Sequence, residues 1–206
     1  MAPSLSPGAD RLVYSRIASD SNVDSEYAAT WSPDAKSFAY LRHAQGKLAL
    51  AIAKTSGEAT PVVIRQGDLY RLPDWSPDGQ WILATEKNNN ILISPDGKTI
   101  RELGEFGDTV QLTFSKDSRL LYGIRRVEGR PQLFSVDIAT KNVKVIGEFD
   151  QELYPSSYLN PGIRLSLSPD GKNILFPSIT RSSSLWMLEG FDPPSWTERL
   201  RERLPW

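Results

Sequence analysis

Trp75-Ser76-Pro77-Asp78-Gly79-Gln80-Trp81-Ile82-Leu83-Ala84 is the stretch on which the fold of this chain turns. Proline presets φ at the second position of a tight turn. The aspartate after it offers a short acceptor to nearby backbone amides, and glycine takes the positive φ that closes a hairpin. An aromatic residue before the serine ends one strand, and the apolar run after the turn begins the next. The box recurs as Leu5-Ser6-Pro7-Gly8, Trp31-Ser32-Pro33-Asp34-Ala35, Phe114-Ser115-Lys116-Asp117-Ser118 and Leu167-Ser168-Pro169-Asp170-Gly171. Its serines stand at 6, 32, 76, 115 and 168, with gaps of 26, 44, 39 and 53. Ile93-Ser94-Pro95-Asp96-Gly97 falls off this period, where a second hairpin of the same unit would turn. Ala35 and Ser118 replace the glycine, which predicts a strained or altered turn. The aspartates are expected to cap hairpins rather than to form an acidic ring for metal or substrate.

Each box is followed by short apolar runs. In the third unit the expected strands are Arg71–Trp75, Trp81–Thr85, Asn90–Ile93 and Ile100–Leu103. In the fourth they are Val110–Phe114, Arg119–Ile124, Pro131–Asp137 and Val143–Phe149. The second unit gives three, Phe38–Leu41, Leu48–Ala53 and Pro61–Arg65. The first unit is too short for four strands, and the last, after Leu185–Leu188, breaks at Phe191-Asp192-Pro193-Pro194. Four-stranded antiparallel units at about 40-residue spacing are the signature of an all-β fold, the β-propeller. The expected architecture is about five blades over residues 1–191, with partial first and last units, and a tail over 192–206. Such a set can form a compact five-bladed ring, an open arc or a piece of a six-bladed ring, and the short end units favour the arc or the piece. Exposed apolar faces at its ends would then promote self-association. In the tail, Ser195 and Glu198 are spaced as a capping box, and Trp196, Leu200 and Leu204 mark one stripe of a short amphipathic helix.

The [Trp/Phe]-Ser-Pro-Asp-Gly box followed by an apolar strand resembles the TolB-like, WD-repeat-like propeller repeats of bacteria. The segment Ser184-Leu185-Trp186-Met187-Leu188-Glu189-Gly190-Phe191 is similar to the final strand of propellers carried C-terminally behind a winged-helix or protein-kinase domain. The resemblance covers Pro3 to Phe191. It implies a non-catalytic module that binds a protein or small ligand as a scaffold or sensor. It also touches prolyl-oligopeptidase-like enzymes, whose propeller is not the catalytic part, so one alternative is the propeller portion of a hydrolase, prolyl-oligopeptidase-like or glycosidase-like; another is a decayed, non-functional fragment, suggested by the degraded boxes and missing strands.

Composition narrows the chemistry. The 206 residues carry 24 basic and 25 acidic side chains, a net charge of −1, which offers no global field for nucleic acid or an anionic membrane. There is no cysteine, hence no disulfide, thiolate metal site or Cys nucleophile, and one histidine excludes a multi-His metal cage. No cofactor is expected. The start of the sequence lacks the features of a secretory signal and no run is long enough to cross a membrane as a helix. The expected compartment is therefore the cytoplasm as encoded, or the periplasm if the sequence belongs to a longer exported or membrane-anchored protein.

The chain has no G-x-S-x-G elbow, phosphate-binding loop or H-E-x-x-H pair, so no catalytic residue is assigned. His43 lies in a hairpin connection and is read as an exposed loop residue. Asp68, Asp74 and Asp108 are the acidic residues on or beside the innermost strands that a five-bladed glycosidase would use. Asp20-Ser21-Asn22-Val23-Asp24 matches only half a calcium loop and is read as a polar loop. Asn88-Asn89-Asn90 is read as a turn run. For binding, the informative places are the connections between blades and between second and third strands, which share one face. Tyr70 and Arg71 stand in one of these, Tyr154 and Tyr158 in a long inter-blade loop, and Arg126 beside Arg125 and Arg130 in a third. Tyrosine and arginine combine large contact area with a polar end, and these five are the candidate binding residues.

Overall fold

A computed structural model describes residues 4–8, 10–13, 25–44, 47–57, 60–149, 165–168 and 173–175. The described residues form sixteen strands: β1 (Ser4–Leu5), β2 (Leu12–Val13), β3 (Ser25–Trp31), β4 (Ser37–Ala44), β5 (Lys47–Lys54), β6 (Val62–Gly67), β7 (Leu69–Trp75) and β8 (Ile82–Glu86). They continue with β9 (Asn89–Ile93), β10 (Ile100–Gly104), β11 (Asp108–Phe114), β12 (Leu120–Val127), β13 (Arg130–Asp137), β14 (Val143–Glu148), β15 (Ser166–Leu167) and β16 (Ile174–Leu175). Three antiparallel sheets have four strands in chain order, β3-β4-β5-β6, β7-β8-β9-β10 and β11-β12-β13-β14; β1-β2 and β15-β16 are two-stranded. The tail and its expected helix, the strand Leu185–Leu188 and the half calcium loop lie outside the described residues.

The boxes at Ser32, Ser76, Ser94 and Ser115 make the same turn, and at Ser6 the hydroxyl donates instead to Asp10, four residues on. Each serine N–H donates to the carbonyl five residues on, as in Ser32 to Ser37, Ser76 to Trp81 and Ser115 to Leu120. The serine hydroxyl donates to the aspartate Oδ1 at 2.6 Å in Ser32–Asp34, Ser76–Asp78, Ser94–Asp96 and Ser115–Asp117. The same hydroxyl accepts the N–H of the next strand's first residues, and Oδ1 accepts a second one, from Lys36, Gln80, Lys98 and Arg119. Ala35 and Ser118 adopt φ of 57° and 58°, beside 76° at Gly79 and 73° at Gly97. The turn is therefore unaltered and the strain is accepted. The off-period box is the β9–β10 turn, as its sequence implies.

Sheets stack through side chains on alternate strand positions. Ile82, Ala84, Ile91 and Ile93 pack with Ala39, Leu41 and Leu50 of the preceding sheet. Leu83, Leu92 and Leu103 face the other way, into a cluster with Leu112, Leu121, Phe134 and Val136 of the following sheet. A sheet buried on both faces needs unbroken apolar runs, which is what Ile82-Leu83-Ala84 and Ile91-Leu92-Ile93 supply. Ile124 continues the stack onto Leu165, with Leu133 and Ile174 alongside.

One strand differs from the sequence expectation. The second unit has a fourth, innermost strand, β3, that precedes its box. Ser25-Glu26-Tyr27-Ala28-Ala29-Thr30 alternates weakly, and its alternation is broken by a bulge at Ala28, whose φ is 62°.

Candidate binding face

The inner strands β3, β7 and β11 follow one another from sheet to sheet, and each carries an irregularity near its start. In β11, Val110 is one extra residue between the pairs Thr109–Arg125 and Gln111–Ile124. In β3, Ala28 and Ala29 oppose a single partner residue. In β7 the interruption is larger: Arg71, Leu72 and Pro73 lie between the pairs Tyr70–Thr85 and Asp74–Leu83, opposite Ala84 alone. Pro73 is fully buried and has no N–H to leave unpaired there. Arg71 has φ of 75°, a left-handed conformation that an arginine keeps only when its surroundings enforce it.

Those surroundings are visible. At the far end of the bulge, Asp74 Oδ2 accepts the Thr113 hydroxyl at 2.9 Å and the Phe114 N–H at 3.1 Å, both from the next sheet. Ser118 Oγ likewise accepts the Asp78 N–H across the same seam at 3.1 Å. One oxygen of Asp74 is thus committed to holding two blades together. Asp68 and Asp108 are exposed. At the near end, the Lys87 N–H donates to the Asp68 carbonyl, which ties the second-to-third-strand turn to the inter-blade connection.

The residue ten positions after the box serine is charged in each four-stranded sheet: Glu86 ends β8, while Arg42 and Arg125 lie two residues before the ends of β4 and β12. Glu86 forms an ion pair with Arg65 of the preceding sheet. Arg125 Nε donates to Gln132 Oε1 at 2.9 Å, and Gln132 Nε2 donates to Glu148 Oε1 at 3.0 Å. The Arg125 guanidinium also lies 4.9 Å from the centre of the Phe134 ring, so it lids the apolar seam below with a cation–π contact. Buried Asn90 accepts the Thr85 hydroxyl and donates to the Gly104 carbonyl. Asn90 lies in the strand expected from it to Ile93, Asn89 joins that strand as its first residue, and only Asn88 of the run stays in the turn.

Of the sequence candidates, Tyr70 and Arg71 start β7 and Arg126 nears the end of β12, opposite Asp108 and Pro131. Strand direction puts all three at the end of the sheets where chains cross between blades and where second strands turn into third. Arg71 and Arg126 are half-buried. Tyr154 and Tyr158 lie outside the described residues. His43 is exposed near the end of β4. Among the described residues no group of three His, Cys, Asp or Glu side chains is gathered to hold a metal. No helix there is long and apolar enough to cross a membrane. The carboxylates of Asp10, Asp34, Asp96 and Asp117 are held below the ordinary range, first by the box serine hydroxyl and then by backbone N–H groups for Asp34, Asp96 and Asp117. Asp137 is lowered by the Thr140 N–H and hydroxyl.

Successive four-stranded antiparallel sheets in chain order, packed face to face with innermost strands adjoining, define a β-propeller architecture. Comparison with solved structures finds TolB-like propellers. TolB from Acinetobacter baumannii has 24% identity over 74% of this chain and 37% of that one, with a TM-score of 0.59. A TolB-type protein from Agrobacterium tumefaciens has 17% identity over 85% of this chain and 79% of that one, with a TM-score of 0.61. A chain of a nidogen/laminin complex has 13% identity over 75% of this chain and 57% of that one, with a TM-score of 0.57. The chain therefore spans less than two thirds of the Acinetobacter and nidogen/laminin chains. No protein-family model matches the sequence. No curated protein matches it either.

Proposed function

We propose that this chain is a non-catalytic propeller module that presents its inter-blade face to a protein or small-ligand partner, in a scaffold or sensor role. The reading rests above all on the bulge of β7. There Arg71 is held in a left-handed conformation beside Tyr70, between a seam clamp at Asp74 and a turn clamp at Asp68. A backbone fixed by its scaffold presents these two residues from a set position, which lowers the entropic cost of a contact they make. The other acidic groups give less to a hydrolytic reading. Asp34, Asp78, Asp96 and Asp117 are engaged in turns, and one oxygen of Asp74 in a seam. The test is a pull-down and small-ligand thermal-shift screen with the native chain, repeated with Tyr70→Ala, Arg71→Ala and Arg126→Ala, and with Tyr154→Ala and Tyr158→Ala. A captured partner whose binding falls at least tenfold in the first set supports the face. Binding indifferent to all five substitutions refutes it.

A further inference from the structure

The two seams between full sheets are built on one plan and finished with different chemistry. In each, the residue ten positions after the box serine faces back into the seam, on the side of its strand that packs on the preceding sheet. Opposite it runs the fourth strand of that preceding sheet, just past an apolar bulge. Between the first two full sheets these places hold Glu86 and Arg65, which follows the bulged Ile64, and the two form an ion pair. That seam is full, since a Cβ on Gly67 would collide with the Glu86 carboxylate. Between the second and third full sheets the same places hold Arg125 and Gly104, which follows the bulged Leu103. Arg65 and Gly104 correspond because each pairs with the third-strand residue, Leu50 or Asn90, that lies opposite Leu41 or Thr85, nine positions after the box serine. The guanidinium has changed sides, and no side chain stands where its partner would be. A Cβ on Gly104 would meet nothing within 4 Å.

Arg125 is held in place without that partner. Its Nε is committed to buried Gln132, and its guanidinium lies over the Phe134 ring. Among the described residues its two Nη groups carry no hydrogen bond or ion pair, and both are reached by solvent. With Nε taken, the open edge is the pair of Nη groups, a planar fork of N–H donors that matches the two oxygens of a carboxylate. We propose that this seam is a binding site for a single carboxylate, which gives Arg125 the counterpart that Glu86 gives Arg65 in the preceding seam. The surroundings select the charge of the ligand. Glu105 and Asp108 are exposed on the connection that follows Gly104, and Glu148 accepts from Gln132. They repel a phosphate dianion about twice as strongly as a monoanion at the same place. The site is separate from Tyr70, Arg71 and Arg126 and does not depend on what those residues bind.

The test is a nuclear magnetic resonance titration of the full chain with sodium acetate at pH 8 and constant ionic strength, read at the Arg125 Nε–H and the Gly104 amide. The expected result is a saturable shift of both signals, no shift with the neutral isostere acetamide, and phosphate at least fivefold weaker. Arg125→Lys keeps the charge without the fork, and acetate should bind it at least fivefold more weakly at the Gly104 amide. A blocked Gly-Asp-Gly peptide is titrated beside acetate. Tighter binding of the peptide assigns the carboxylate to a protein partner, tighter binding of acetate assigns it to a free acid, and both uphold the site. A shift that does not saturate, acetamide matching acetate, phosphate binding as tightly, or Arg125→Lys binding acetate like the native chain each overturns the proposal. Circular dichroism reads the folding of the variant, and the ligand series on the native chain stands without it.

Discussion

Ala35 shows how a single residue can be out of keeping with a turn that nonetheless forms. Its N–H donates to the Ser32 carbonyl, and the Ser32–Asp34 pair fixes the residues on either side, so the chain is driven to φ of 57° whatever stands there. A left-handed alanine costs about 1–2 kcal/mol, whereas glycine gives back roughly 0.5–1 kcal/mol in extra chain entropy on folding. Ala35→Gly is expected to raise stability by about 0.5–1 kcal/mol in urea unfolding. Ser118→Gly is not equivalent, because the Ser118 hydroxyl also accepts the Asp78 N–H from the neighbouring blade. Gly123 poses the opposite problem. A Cβ there would lie 2.5 Å from a Leu112 methyl and 2.9 Å from the Phe134 ring, which is fully buried and cannot retreat. Gly123→Ala should cost about 1–3 kcal/mol by overpacking. An unchanged unfolding midpoint would mean that the seam between inner and third strands is looser than these contacts imply.

Strands and their seams explain how much of the molecule can be read in advance. The box and the apolar run after it are local signals, so both full hairpins of β7–β10 and of β11–β14 are legible from residues a few positions apart. β3 is not legible. Its apolar residues do not alternate cleanly because the bulge at Ala28 shifts the pattern by one, and two alanines carry little hydrophobic signal. Asp74 is legible as an acidic residue on an inner strand, but its employment is decided by Thr113 and Phe114, 39 and 40 positions away, which no local pattern announces. The same holds for Arg71: an arginine near a blade connection can be noticed in sequence, while its left-handed φ follows from an insertion matched against β8. The seam clamp predicts a measurable role. Asp74→Ala leaves the N–H of buried Phe114 and the hydroxyl of half-buried Thr113 without this acceptor, at a cost of about 1–3 kcal/mol. Hydrogen exchange should then quicken at Phe114 and along the β7–β11 seam while the β4–β5 hairpin stays protected. Uniform loss of protection would show that the blades do not open separately.

At the scale of the whole molecule, each sheet borrows its stability from its neighbours, as in other stacked repeats, and the box turns repeat one carboxylate device from sheet to sheet. Asp10, Asp34, Asp96 and Asp117 all sit at this end of the sheets, opposite the candidate binding face, and Asp137 caps the β13–β14 turn there as well. Because each is held below its ordinary value in the folded chain, the unfolded state takes up these protons first as the pH falls. Their stabilisation is fully present above the unfolded value of about 3.9 and is lost as the pH drops through the lower folded values. The melting temperature should therefore be level from neutral pH to about 5 and fall as the pH drops below about 4. Replacing Asp34 and Asp117 together by asparagine keeps an acceptor at each turn but removes two of the titrating groups. That variant should melt lower than the native chain at neutral pH, and the gap should narrow progressively as both are acidified. A gap that stays constant from pH 7 to pH 3 would place the acid response elsewhere in the molecule and leave the turns with a purely conformational part in holding the blades.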